Sequence, residues 1–265
     1  MMNNVNKTLY IPLYGKAYVS GKGLFLTDRR AEEIWAAEQF PLGGKARSKW
    51  LAYYMGIRSA VFDAWTRDQI AAGDGATVLH IGCGMDSRVL RAGECAAMWY
   101  DLDFPEVIAE RARYFTETER YRMLPCDLRR EGWSAQIPHS KRAIVIMEGV
   151  SMYLSPEELR SVLGAISDRF DEVALLMDCY STLAAKMSKY KNPINDVGVT
   201  VVYGTDDPRS AEAGGLLYLG EREMTPKHYI DELRGMEKRI FAGLYAGGFA
   251  KKLYRLYEYK KHFKV

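Results

Sequence analysis

Between residues 76 and 178 the chain repeats one pattern: a short apolar run, then a stretch with apolar residues recurring every three or four positions. The runs are Ala76–Ile81, Ala96–Asp103, Tyr121–Asp127, Ala143–Met147 and Val173–Asp178. Near-continuous apolar runs of this length suit parallel strands covered on both faces, and the stretches between them suit the covering helices. The pattern predicts an α/β fold, a mostly parallel sheet with helices on both sides. Element boundaries agree with it. Ser155-Pro156-Glu157-Glu158 supplies an N-cap serine, a proline at the first helical position and a capping-box glutamate, and Pro105 opens a helix directly after the second run.

Ahead of the first run, residues 46–71 read as one long helix, with Trp50, Tyr54, Ile57, Val61 and Trp65 on a single inward face. Asn192-Pro193, Asp207-Pro208 and Gly214-Gly215 break residues 192–220 into loops and short pieces. After them, Pro226 is expected to open a helix running to about residue 246. Gly247-Gly248 then turns the chain, and Lys252–Lys260 forms a final strand. Residues 1–75 are expected to form a helical cap within the same domain as a core spanning 76–265.

A chain of 265 residues is large enough for one well-buried domain. Its 37 basic and 34 acidic residues nearly cancel, so no field draws it toward nucleic acid. Cys83, Cys95, Cys126 and Cys179 lack metal-type or disulfide-type spacing and read as buried thiols in a reducing compartment. No apolar run is long enough to span a bilayer and the first residues do not resemble a secretion signal, so a cytoplasmic location without membrane partners is expected.

Candidate chemistry gathers where the runs end. The first run enters Gly82-Cys83-Gly84-Met85-Asp86-Ser87-Arg88, a strand, glycine turn and helix junction that lets a nucleotide-like ligand approach the backbone. Ser87 stands where a dinucleotide fingerprint wants its third glycine, which disfavours an NAD-dependent oxidoreductase. The second run ends with Asp101 and Asp103, placed to accept ribose hydroxyls. The third ends in Asp127-Leu128, a carboxylate and an apolar surface that suit adenine. Glu148 follows the fourth run beside Gly149 and within reach of Tyr153. Arg58, flanked at i−4 and i+4 by Tyr54 and Phe62, is either a clamp for a ligand carboxylate or a rim arginine whose head reaches water.

His80, His139, His228 and His262 show no metal spacing or catalytic pairing, so no metal is expected and no general base is identified. His80, inside the first strand, reads as structural. The basic and aromatic stretch Lys251–Lys264 reads as an amphipathic strand with a solvated face.

In this order and spacing, HIGCGMDSRVLR, Asp103-Phe104-Pro105, Cys126-Asp127-Leu128 and MEGVSMYLSPEE resemble the leucine carboxyl methyltransferase family, which includes tetracenomycin-type polyketide O-methyltransferases. The resemblance spans roughly residues 16–180. It implies a Rossmann-like seven-stranded fold and transfer of a methyl group from S-adenosylmethionine to an oxygen of a small acceptor, leaving S-adenosylhomocysteine. It further implies that Gly82 and Gly84 line the cofactor, Arg58 and Lys16 hold its carboxylate, and Asp103 takes the ribose. Asp127 and Leu128 would meet the adenine, Glu148 the methionine part, and Tyr153 the acceptor. The fourth run ends in Met147-Glu148-Gly149, unlike the Asn/Asp-Pro-Pro-aromatic signature of nucleic-acid aminomethyltransferases. A cofactor-binding protein without turnover is the other reading.

Overall fold

The computed structural model describes residues 8–73, 75–92, 98–188 and 201–261. Seven strands form one sheet: β1 (Thr77–Ile81), β2 (Trp99–Asp103), β3 (Tyr121–Pro125), β4 (Ser140–Met147), β5 (Phe170–Tyr180), β6 (Leu217–Arg222) and β7 (Tyr254–Lys261). Their spatial order is β3-β2-β1-β4-β5-β7-β6. β1 to β5 are parallel, whereas β7 runs antiparallel to both neighbours, β5 and β6. The apolar runs are explained by position: Ala143 to Met147 of β4 are wholly buried because both sheet faces are covered. The order reverses between β1 and β4, which opens a crevice at the C-terminal strand ends.

Among the described residues three helices precede the sheet: α1 (Tyr10–Ser20), α2 (Arg29–Glu38) and α3 (Lys49–Ala71). α3 starts at its Ser48 cap, after a 3-10 turn at Gly44–Arg47. The expected single inward face is corrected here, since α3 is buried on nearly every side from Ala52 to Thr66. α1 lies against the side turned away from the sheet, and glycines let the two backbones approach. A Cβ on Gly56 would sit 2.7 Å from the Val19 side chain, and one on Gly15 would sit 2.7 Å from the Met55 Cβ.

Among the described residues four helices follow within the strand alternation: α4 (Arg88–Arg91), α5 (Pro105–Arg111), α6 (Pro156–Arg169) and α7 (Thr182–Met187). Pro105 opens α5, and the capping box at Ser155 and Glu158 is formed in both directions at the start of α6.

The C-terminal part departs from expectation. The predicted helix from Pro226 to about 246 is broken into α8 (Lys227–Glu232), α9 (Gly235–Ile240) and a π turn at Phe241–Tyr245, because Leu233 and Arg234 adopt extended backbone. Gly248 opens α10 (Gly248–Leu253) instead of a simple turn. Within the stretch read as loops, Leu217–Arg222 is the edge strand β6; residues 189–200 lie outside the described residues. β7 lacks the solvated face expected of the basic tail, because it runs between two partners with Tyr254 and Leu256 buried on one face and Tyr257 and Tyr259 on the other. Residues 262–265 lie outside the described residues. Cys83, Cys126 and Cys179 are buried free thiols, and Cys95 lies outside the described residues. No helix among the described residues is long and apolar enough to cross a membrane.

Candidate functional site

The C-terminal ends of β1 to β4 open into one cavity of about 470 Å³, covered from the opposite side by Leu9, Ile11, Pro12, Leu13 and Lys16 at the start of α1. Lys16, Arg58, Gly82, Gly84, Asp103, Asp127, Leu128, Glu148 and Tyr153 all line it. The sheet topology brings together residues that span more than half the chain.

At the end of β1 the backbone turns through Gly82 at φ +62° and Gly84 at φ +49°, conformations that a side chain strains. Gly82 has a second constraint, since a Cβ there would sit 2.3 Å from the Val150 Cγ2. The turn directs the Gly84 N–H at Asp103 on the neighbouring strand. Asp103 Oδ2 accepts from Gly84 N at 2.8 Å, and its Oδ1 accepts from Phe104 N at 2.8 Å. Burial pushes the carboxyl up to about 6, with those two amides and Arg111 opposing it. Each oxygen keeps capacity for a further donor, as a ribose diol requires.

Asp127 stands beyond β3 with its carboxylate gripped by Arg129, whose Nε and Nη2 are each 2.8 Å away. That bond and the accompanying charge hold it below the usual carboxylate range. Leu128 offers the apolar surface next to it. Phe104 also lines this end of the cavity, and the Arg129 guanidinium lies over its ring.

Charge dominates the other end. Arg58, on the buried middle of α3, donates from Nε to Glu148 at 3.0 Å and from Nη1 to Asp178 at 3.0 Å and to the Tyr254 hydroxyl at 2.6 Å. The rim reading of Arg58 is therefore corrected: its guanidinium is buried, because it points inward onto Glu148, Asp178 and Tyr254 at the edge of β4, β5 and β7. Lys16 is likewise engaged, with Nζ 2.9 Å from Asp86. Glu148 is the counter-ion of Arg58 and also of Arg88. Burial works against its ionisation, but the two guanidiniums outweigh burial and hold it at about 2.

Behind this layer, Arg88 reaches Asp63 at 2.7 Å and Asp86 at 3.3 Å, while Arg91 bridges Asp28, Asp63 and Asp86. His80 is structural, as read: its Nδ1 lies 3.1 Å from Asp101 and its Nε2 faces Arg88. Burial lowers its pKa despite Asp101, so it stays neutral.

Tyr153, Tyr180, Tyr54 and Tyr254 line the cavity beside this charged end, with Met55 and Met152. Sequence reasoning missed Asp178 and Tyr254. Asp178 follows the apolar run of β5 just as Asp103 and Glu148 follow theirs, so the strand-end rule that found those two also reaches it. Tyr254 carried no comparable signal, because its strand arrives antiparallel from the far end of the sequence. Among the described residues no cluster of His, Cys, Asp and Glu is arranged to hold a metal ion.

Comparison with known proteins places this geometry in context. The family model described as "Leucine carboxyl methyltransferase" matches residues 9–167, more than half of the chain. The tetracenomycin polyketide synthesis O-methyltransferase TcmP of Streptomyces glaucescens is 29% identical over 191 residues, covering 71% of each chain. The S-adenosyl-L-methionine-dependent methyltransferase dpfgK of Gibberella zeae is 28% identical over 184 residues, covering 63% of this chain and 61% of that one. Among solved structures, the magnesium protoporphyrin IX methyltransferase of Synechocystis PCC 6803 with bound SAH superposes with a TM-score of 0.51. It is 15% identical and aligns over 88% of this chain and 93% of that one, which is a likeness of fold.

Proposed function

From membership of the leucine carboxyl methyltransferase family, to which this chain belongs, we propose that it transfers a methyl group from S-adenosylmethionine to an oxygen of a small molecule and releases S-adenosylhomocysteine. The observation that carries this reading is Asp103, pinned by two backbone amides with lone pairs to spare at the β1/β2 end of a cavity of about 470 Å³. A cavity of that size is within the range of small-ligand sites. The residues fit the cofactor's parts: Asp103 the ribose diol, Leu128 and Phe104 the faces of the adenine, and Asp127 its exocyclic amine. Arg58 and Lys16 frame the amino-acid end, where N–H donors left over from their ion pairs meet the methionyl carboxylate. The helices before residue 75 act as a cap, with α1 excluding water from the reacting centre.

When bound, the cofactor supplies an activated methyl group on a sulfonium. The protein's contribution is to hold donor and acceptor in line at near-attack distance. The apolar and aromatic wall of Tyr54, Met55, Met152, Tyr153 and Tyr180 supports an acceptor with an extended apolar or aromatic body, as in a polyketide. Its oxygen is a carboxylate, which is ionised at neutral pH, or a hydroxyl.

A thermal-shift titration tests the cofactor assignment. S-adenosylmethionine or S-adenosylhomocysteine at about a hundred times its Kd stabilises by ~2.7 kcal/mol, roughly 5–10 °C for a domain of this size, and NAD does not. Equal shifts with NAD, or none with either adenosyl ligand, refute it.

A further inference from the structure

Among the described residues nine ionisable side chains join into one buried network at and behind the charged end of the cavity, each at most 8% exposed: the cations Lys16, Arg58, Arg88 and Arg91, and the carboxylates Asp28, Asp63, Asp86, Glu148 and Asp178. Four cations face five carboxylates. The neighbouring Arg111–Asp101 pair cancels itself, and neutral His80 adds nothing. Buried charge is costly unless it is balanced, so the odd carboxylate calls for a positive partner.

Asp178 is that carboxylate. Among the described residues Asp63, Asp86 and Glu148 each contact two or more of the cations, while Asp28 and Asp178 contact one each; Asp28 meets Arg91 at the far end and caps α2 through the Ala31 N–H, whereas Asp178 meets Arg58 at the cavity end of the network. The groups facing it are Arg58 from α3, Glu148 and the Gly149 N–H from the end of β4, and the Tyr254 hydroxyl from β7. Tyr54, Tyr153 and Tyr180 stand around them. All but Glu148 are cations or neutral donors. Arg58, Gly149 and Tyr254 themselves line the cavity, so Asp178 stands one residue behind its wall.

We propose that Asp178, through its uncompensated charge, makes the cavity selective for the cationic methyl donor over its demethylated product. This rests on the S-adenosylmethionine reading above. The donor and its product share the adenosine, the ammonium and the carboxylate; they differ in the sulfonium charge, which disappears when the C–S bond breaks and sulfur keeps the electron pair. A charge held several ångströms away in a buried site discriminates between them by roughly tenfold. Asp178 therefore acts as a positioning and specificity residue. It favours the charged donor before transfer and leaves the neutral product less tightly held.

Calorimetric titration of the intact protein with S-adenosylmethionine, sinefungin and S-adenosylhomocysteine tests this. Sinefungin carries a stable ammonium in place of the methyl sulfonium. Wild type is expected to bind both cationic ligands roughly tenfold more tightly than the product, and Asp178→Asn to bring the three affinities within about twofold of one another. A loss shared equally by all three ligands makes Asp178 merely structural and overturns the proposal, as does wild-type affinity for the product equal to that for the donor. Should the variant not fold, the wild-type ratios decide: product affinity equal to that of sinefungin overturns the proposal, and product affinity well below both cationic ligands supports it. Absence of binding by every adenosyl ligand instead refutes the cofactor assignment.

Discussion

Asp103 shows how one residue can make ligand binding and folding respond to pH in opposite directions. Its carboxyl is held at about 6 against an ordinary 3.8, so its ionisation opposes the fold. That cost is absent below the unfolded value of about 4 and fully present above 6, and the ligand-free protein gains stability as pH falls between them. A ribose diol donates to the ionised form, so cofactor affinity is expected to weaken over the same interval. Titrations from pH 5 to 7 check this: wild type loses affinity on acidification, while Asp103→Asn binds weakly with little pH dependence. An affinity in wild type that is flat across pH 6 would place the ribose elsewhere. At Gly82 the constraint is steric. Gly82→Ala adds both a φ of +62° and a contact of 2.3 Å with Val150, and is expected to destabilise the protein by about 2–4 kcal/mol, read from denaturant midpoints.

Among elements, the α1–α3 contact decides how the cavity is covered. Gly56→Leu would force Val19 away and lift α1, which carries Lys16 and Leu13 over the site. The expected result is a loss of stability of about 1–3 kcal/mol together with weaker cofactor binding. Normal affinity in a destabilised variant would show that α1 does not cover the ligand. The same contact explains what could be read from the chain. Strand runs, strand-end acids and the capping box at Ser155 are local patterns, and the structure carries them where expected. The all-round burial of α3 is not local, since its outer side is covered through Gly15 and Gly56, which by pattern alone are helical glycines without a stated purpose. Likewise Arg58 could be placed on a buried face from Tyr54 and Phe62, but its partners Glu148, Asp178 and Tyr254 lie 90 to 196 residues away. Edge strand β6 was hidden because Leu217 and Leu219 face solvent and Gly220 interrupts its alternation.

In the whole molecule, β7 follows the other described strands in sequence yet is an interior strand in space. It buries Tyr254, Leu256, Tyr257 and Tyr259, four large side chains whose removal from water contributes on the order of 6–12 kcal/mol. That is comparable with the net stability of a typical domain, about 5–15 kcal/mol. Ribosomal synthesis proceeds from the N-terminus, so β1 to β6 emerge with a gap between β5 and β6 that only β7 fills. Tyr254, which donates to Asp178, arrives with it. A growing polypeptide thus carries its glycine turn and Asp103 well before the surroundings of Asp178 exist, and the ability to tell a charged donor from its spent form emerges only once β7 has been translated.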